Sequence, residues 1–206
     1  MSFSTPTKPK DPTYMNSEEV KNQHKFTLEE IRQVLQRRNF GILFGSAAVW
    51  VYALKYGFTS EELDTMGLNG KGSDIDIIDQ KRDTKGETND SYVSRDNMEY
   101  RYIDLVSAKE TFHMSWEDLH DKMSRSISLG RYRFSIIEID ALIARYEYAL
   151  KEQDDMYPES EEDQEKKIEK IRKINLKLEL LSEIKKIMST RPETETDDVA
   201  YAHFKF

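Results

Sequence analysis

Asp74 and Asp76 stand two residues apart at the head of a short Ile-rich run, SDIDII, residues 73 to 78. Such a run reads as a β-strand that buries at least one face. A period of two puts both carboxylates on one face, with Ile75 and Ile77 on the other. Like charges on one face repel, and a divalent cation between them relieves the repulsion. Asp104 offers a third carboxylate from the alternating run EYRYIDLV, residues 99 to 106. There Ile103 and Leu105 point one way, and Tyr102 and Asp104 the other. If these two strands are neighbours, the three carboxylates converge. Magnesium held by such a set bridges carboxylates to phosphate oxygens, orients an incoming oxygen and neutralises a leaving group.

A second candidate lies upstream, where the apolar run FGILF ends at Gly45-Ser46 and AAVWVYALK follows with helix length. A strand that ends in Gly-Ser before a helix presents backbone N–H groups and a hydroxyl at the positive helix end. That is a phosphate site in outline. Tyr102, on the predicted Asp104 face, is the aromatic residue best placed beside a ligand. Trp50 and Tyr52 fall in the buried helix and read as core.

The elements that must hold these residues are marked by caps. Thr27 with Glu30 and Thr59 with Glu62 are capping boxes. Ser107 with Glu110, Ser115 with Asp118 and Ser135 with Glu138 mark further helix starts. Residues 79 to 91 carry almost no apolar side chain and read as an exposed loop. A last helix, from about 163 to 189, sets Ile168, Ile171, Ile174, Leu178, Leu181, Ile184 and Ile187 on one stripe. The expected organisation is a disordered arm over 1–24, an α/β core over 25–106 and a helical extension over 107–150. An acidic linker over 151–165, the amphipathic helix over 166–189 and a tail over 190–206 complete it.

Composition narrows the classes. The 206 residues carry a formal charge of -8, which opposes a broad surface for coating nucleic acid. There is no cysteine, so disulfides and cysteine-ligated zinc are excluded, and the four histidines lack zinc-like spacing. The longest apolar run, residues 47 to 54, is far short of the roughly 18 residues a membrane helix needs. The N-terminal residues have no apolar h-region and do not read as a signal peptide. A cytoplasmic location is expected.

The order strand, Gly-Ser, helix, DxD strand, then IDLV strand resembles the nucleotidyltransferase superfamily with the polymerase-beta-like fold. The small minimal and antitoxin-type members are the closest in pattern. Leu43-Phe44-Gly45-Ser46, Ser73-Asp74-Ile75-Asp76-Ile77 and Ile103-Asp104-Leu105 carry the resemblance, which covers roughly residues 28 to 150. The gap between Ser46 and Asp74 is longer than the family's usual turn. The resemblance implies an α+β fold: a small mixed β-sheet carrying an Asp triad, backed by helices, with a helical C-terminal part.

It also implies an enzyme that moves a nucleoside monophosphate from an NTP to a hydroxyl acceptor, with release of pyrophosphate. Asp74, Asp76 and Asp104 are then the catalytic and metal-binding set for Mg2+ or Mn2+. Gly45, Ser46, Ser73, Lys71 and Tyr102 are the nucleotide contacts. The acceptor is a small molecule, an RNA end or a protein, and no membrane is involved. A homodimer or protein partner would meet the helix at 166–189. The alternative is a nucleotidyltransferase-like antitoxin or protein-interaction module with weak or no catalysis. A third reading is a soluble α/β protein whose aspartates only solvate a sheet edge.

Overall fold

The computed structural model describes residues 27–38, 41–68, 75–85, 89–93, 100–158 and 160–190. A capping box closed by Thr27 and Glu30 starts α1 (Leu28–Arg37), whose Ile31 and Val34 are buried. A two-residue strand, β1 (Ile42–Leu43), leads into α2 (Gly45–Lys55). Thr59 and Glu62 cap α3 (Ser60–Thr65) in the same way. Then come β2 (Ile75–Ile78), α4 (Gln80–Lys85), β3 (Asn89–Val93) and β4 (Tyr100–Val106). Ser107 and Ser115 cap α5 (Ala108–Phe112) and α6 (Trp116–Met123) through Glu110 N–H and Asp118 N–H. A hairpin of β5 (Ser124–Leu129) and β6 (Tyr132–Ile137) precedes α7 (Ile139–Asp154) and the 30-residue α8 (Glu161–Thr190).

The six strands form one mixed sheet in the order β3-β4-β2-β1-β6-β5. β2 runs parallel to β4, and β1 parallel to β6; the other pairs are antiparallel. The α+β class, the mixed sheet and the C-terminal helices match expectation. Two strands, however, lie inside the segment expected to be a helical extension. Ile127, Leu129 and Phe134 of that hairpin are buried, with Ser126 opposite Ser135. The helix that follows starts at Ile139 with Glu138 as N-cap, so Ser135 serves the sheet and not a cap. The expected loop over 79–91 also contains α4 and the start of β3.

Helix α2 is covered all round, with every residue from Ala47 to Leu54 buried. It packs on β2, β5 and α8. A helix apolar on every side belongs inside a core, as expected for Trp50 and Tyr52. The Tyr52 hydroxyl is satisfied there by donating to the Ile137 carbonyl at 2.8 Å.

Helices α7 and α8 form an antiparallel pair whose register is fixed by three contacts. Lys185 Nζ meets Asp140 Oδ1 at 2.5 Å. Lys177 Nζ lies 5.1 Å above the Tyr146 ring, and Lys167 Nζ donates to the Met156 carbonyl at 2.8 Å. The stripe expected along α8 divides. Ile174, Leu181 and Ile184 are buried, whereas Ile168 is 56% exposed. The C-terminal half of α8 therefore belongs to the core and its N-terminal half stands clear of it.

Candidate functional site

β2 and β4 are neighbours, and their parallel register sets Asp76 directly beside Asp104. The flanking Ile75, Ile77, Ile103 and Leu105 are buried, while Asp76 and Asp104 are half-buried on the opposite face. The alternation read from the sequence accounts for this. Lys71, Ser73 and Asp74 lie outside the described residues, as does the side chain of Tyr102.

Around Asp76 the chain assembles groups from three other elements. Gly45, the first residue of α2, adopts φ +63, and the Asp76 carboxylate lies against it. A Cβ at this position would fall 1.9 Å from Asp76 Oδ2. Only glycine combines that backbone angle with that approach. The N-cap residue, Phe44, offers no side-chain acceptor to the helix. Asp76 brings negative charge to the positive end of α2 instead.

From α8, Lys177 Nζ donates to Ser46 Oγ at 2.7 Å. From α7, the Tyr146 hydroxyl is buried near Ser46, without a hydrogen bond of ordinary geometry. Burial pushes the Lys177 pKa down and Asp76 opposes that shift, while Lys173 adds to it. Burial pushes the Tyr146 pKa up, and Asp76 reinforces it.

These contacts correct the metal-centre expectation. Among the described residues, no group of three or more His, Cys, Asp or Glu is placed to hold a metal ion. Of the expected Asp74, Asp76, Asp104 set, the described residues show Asp76 and Asp104 as a pair, and no third carboxylate among them joins the two. The physical reason lies in α2 and α8. The positive end of α2 and the Lys177 ammonium supply the compensation that the sequence reading assigned to Mg2+ or Mn2+. Nucleotidyl transfer from an NTP, implied by the resemblance, needs that metal set. It loses its support, and with it go the enzyme assignment, the ATP-binding role and the nucleotidyltransferase resemblance. No family model, curated protein or solved structure matches the chain. Among the described residues, no helix is long and apolar enough to cross a membrane.

Chemically, the cluster ties the sheet to the C-terminal helix pair. It holds one carboxylate against a helix terminus and, beside it, an ammonium on the Ser46 hydroxyl between α2 and α8. Lys177 and Tyr146 were not singled out for this role from sequence. A signal for Lys177 was present: it falls three residues after Ile174 and four before Leu181, on the buried face of α8.

The tie has a pH signature. A lysine whose folded pKa is depressed binds its proton more weakly than the unfolded chain does. Stability therefore rises with pH between that lowered value and about 10.4. The raised Tyr146 pKa works the other way above about 10, where the unfolded chain loses a proton that the fold retains. Denaturant titrations of wild type and Lys177→Met from pH 7 to 10 are expected to show wild type gaining stability relative to the variant as pH rises. A difference that stays flat with pH removes Lys177 as a buried, desolvated ammonium.

Proposed function

We propose that the chain is a protein-interaction module with weak or no catalysis. Its contact element is the distal part of the α7–α8 pair, and a segment of a partner protein is the occupant. One observation carries this reading. Among the described residues, the exposed large hydrophobic side chains are Met66, Tyr148, Met156, Tyr157 and Ile168, and all but Met66 belong to this helix pair or its turn. Tyr157, 92% exposed, is the extreme case. Scattered apolar residues are ordinary on a surface, but their concentration on one projecting element is the pattern of a binding face. A cytoplasmic setting, which the cysteine-free sequence suits, is part of the proposal.

Peptide display against the full chain tests it. Selected peptides are expected to bind wild type and to lose at least tenfold in affinity on Met156→Ser/Tyr157→Ser. Both side chains are largely exposed, so their replacement leaves the core intact. If no peptide is enriched, or if the enriched peptides bind the variant equally well, the contact element is misassigned.

A further inference from the structure

We infer that the groove at the α7–α8 turn takes an acidic peptide segment carrying one large apolar side chain. This rests on the interaction reading above and names the partner's chemistry. Met156, Tyr157 and Pro158 form one wall of the groove. The other wall is the face of α8 bearing Lys166, Lys167 and Lys170 with a single acid, Asp163. Spacings of three, four and seven residues put these four on one side of the helix. The cavity volume of about 360 Å³ is near the lower end for ligand sites, enough for one large side chain and its flanks.

Charge selects the occupant. The chain as a whole is acidic, at -8, yet this wall presents three ammonium groups to one carboxylate. Lys167 is held by the Met156 carbonyl, which fixes one ammonium at the rim. Lys166 pairs with Glu162 at 2.5 Å, one turn away and largely exposed. Exposed pairs of this kind contribute little, so an incoming carboxylate can replace Glu162 at small cost.

A polyphosphate or nucleic-acid strand fits less well. The rim offers no arginine fork for phosphate. The wall of Met, Tyr and Pro needs an apolar side chain to cover it.

The test uses defined probes on the full chain. One is a labelled pentapeptide with a central Phe flanked by two carboxylates on each side. The controls are the same peptide with Ser replacing Phe, a Phe peptide flanked by lysines, and a short single-stranded oligonucleotide. The acidic Phe peptide is expected to bind at least tenfold tighter than any control. Its affinity is expected to fall at least tenfold on Lys166→Glu/Lys170→Glu and to weaken as salt rises. Equal binding of the lysine-flanked peptide, the Ser peptide or the oligonucleotide overturns the inference. Display that yields patch-dependent peptides of another chemistry overturns it too, while leaving the interaction reading standing. Display that yields no patch-dependent peptide removes both.

Discussion

Gly45→Ala is expected to lower the stability of the fold by about 4 kcal/mol, near the upper end for a single substitution. Two effects add. The left-handed angle at Gly45, φ +63, opposes any residue with a Cβ by about 1–2 kcal/mol. The new methyl also falls on the Asp76 carboxylate, 1.9 Å from Oδ2 and 2.6 Å from Cγ, with Asp76 Cβ only 3.0 Å away. A short side chain anchored on a buried strand cannot swing clear as the end of a lysine can. Either Asp76 leaves the α2 terminus or α2 moves off β2. Denaturant midpoints at unchanged slope measure the effect. A loss under 1 kcal/mol would mean that Asp76 has another rotamer open to it and that the close approach is incidental.

Arg38→Met is expected to lower stability by about 3 kcal/mol. Arg38 and Asp79 are both nearly buried, at 8% and 4% exposure, and their charged atoms lie 3.5 Å apart. Arg38 caps the C-terminal end of α1, and Asp79 follows β2, so the pair joins helix to sheet. Asp79 Oδ1 already accepts the Lys81 N–H at 2.7 Å, but Oδ2 is buried with no hydrogen bond of ordinary geometry and relies on the guanidinium. Removing Arg38 strands that charge. The Arg38→Met/Asp79→Asn double variant is expected to recover part of the loss, because the uncompensated carboxylate is then gone. A double-mutant cycle with no coupling between the two positions would assign the loss to side-chain packing instead.

How far the fold was legible depended on whether its signals were local. The boxes at Thr27–Glu30 and Thr59–Glu62 act over three residues, and both close as read. The alternation around Asp76 and Asp104 foretold that Ile75, Ile77, Ile103 and Leu105 are buried, and the two strands do pair. The β5–β6 hairpin has a weaker local signal: Ile127 and Leu129 alternate with serines up to Gly130, whose φ of +54 makes the turn. Ser135 followed three residues later by Glu138 imitated a helix start, and that local rule outweighed the period of two. The candidate site failed for another reason. A carboxylate on a strand shows in the sequence that it needs a positive partner, not which one. The hydroxyl beside it, Ser46, is met by an ammonium 131 residues downstream, a distance no spacing rule spans.

Helix α8 is one unbroken rod, so what anchors it in the core also sets its azimuth at the tip. Lys177 and Lys170 are seven residues apart, two turns less about 20° of rotation. With Lys177 locked on Ser46, Lys170 and its neighbours Lys166 and Lys167 must point to the same side, toward the wall formed by Tyr157. One residue inserted just after Lys170, ahead of the buried Ile174, would turn that lysine row by about 100° relative to Lys177. The hydrogen bond at Ser46 is therefore an index mark: it dictates the compass bearing of a face two helical turns away.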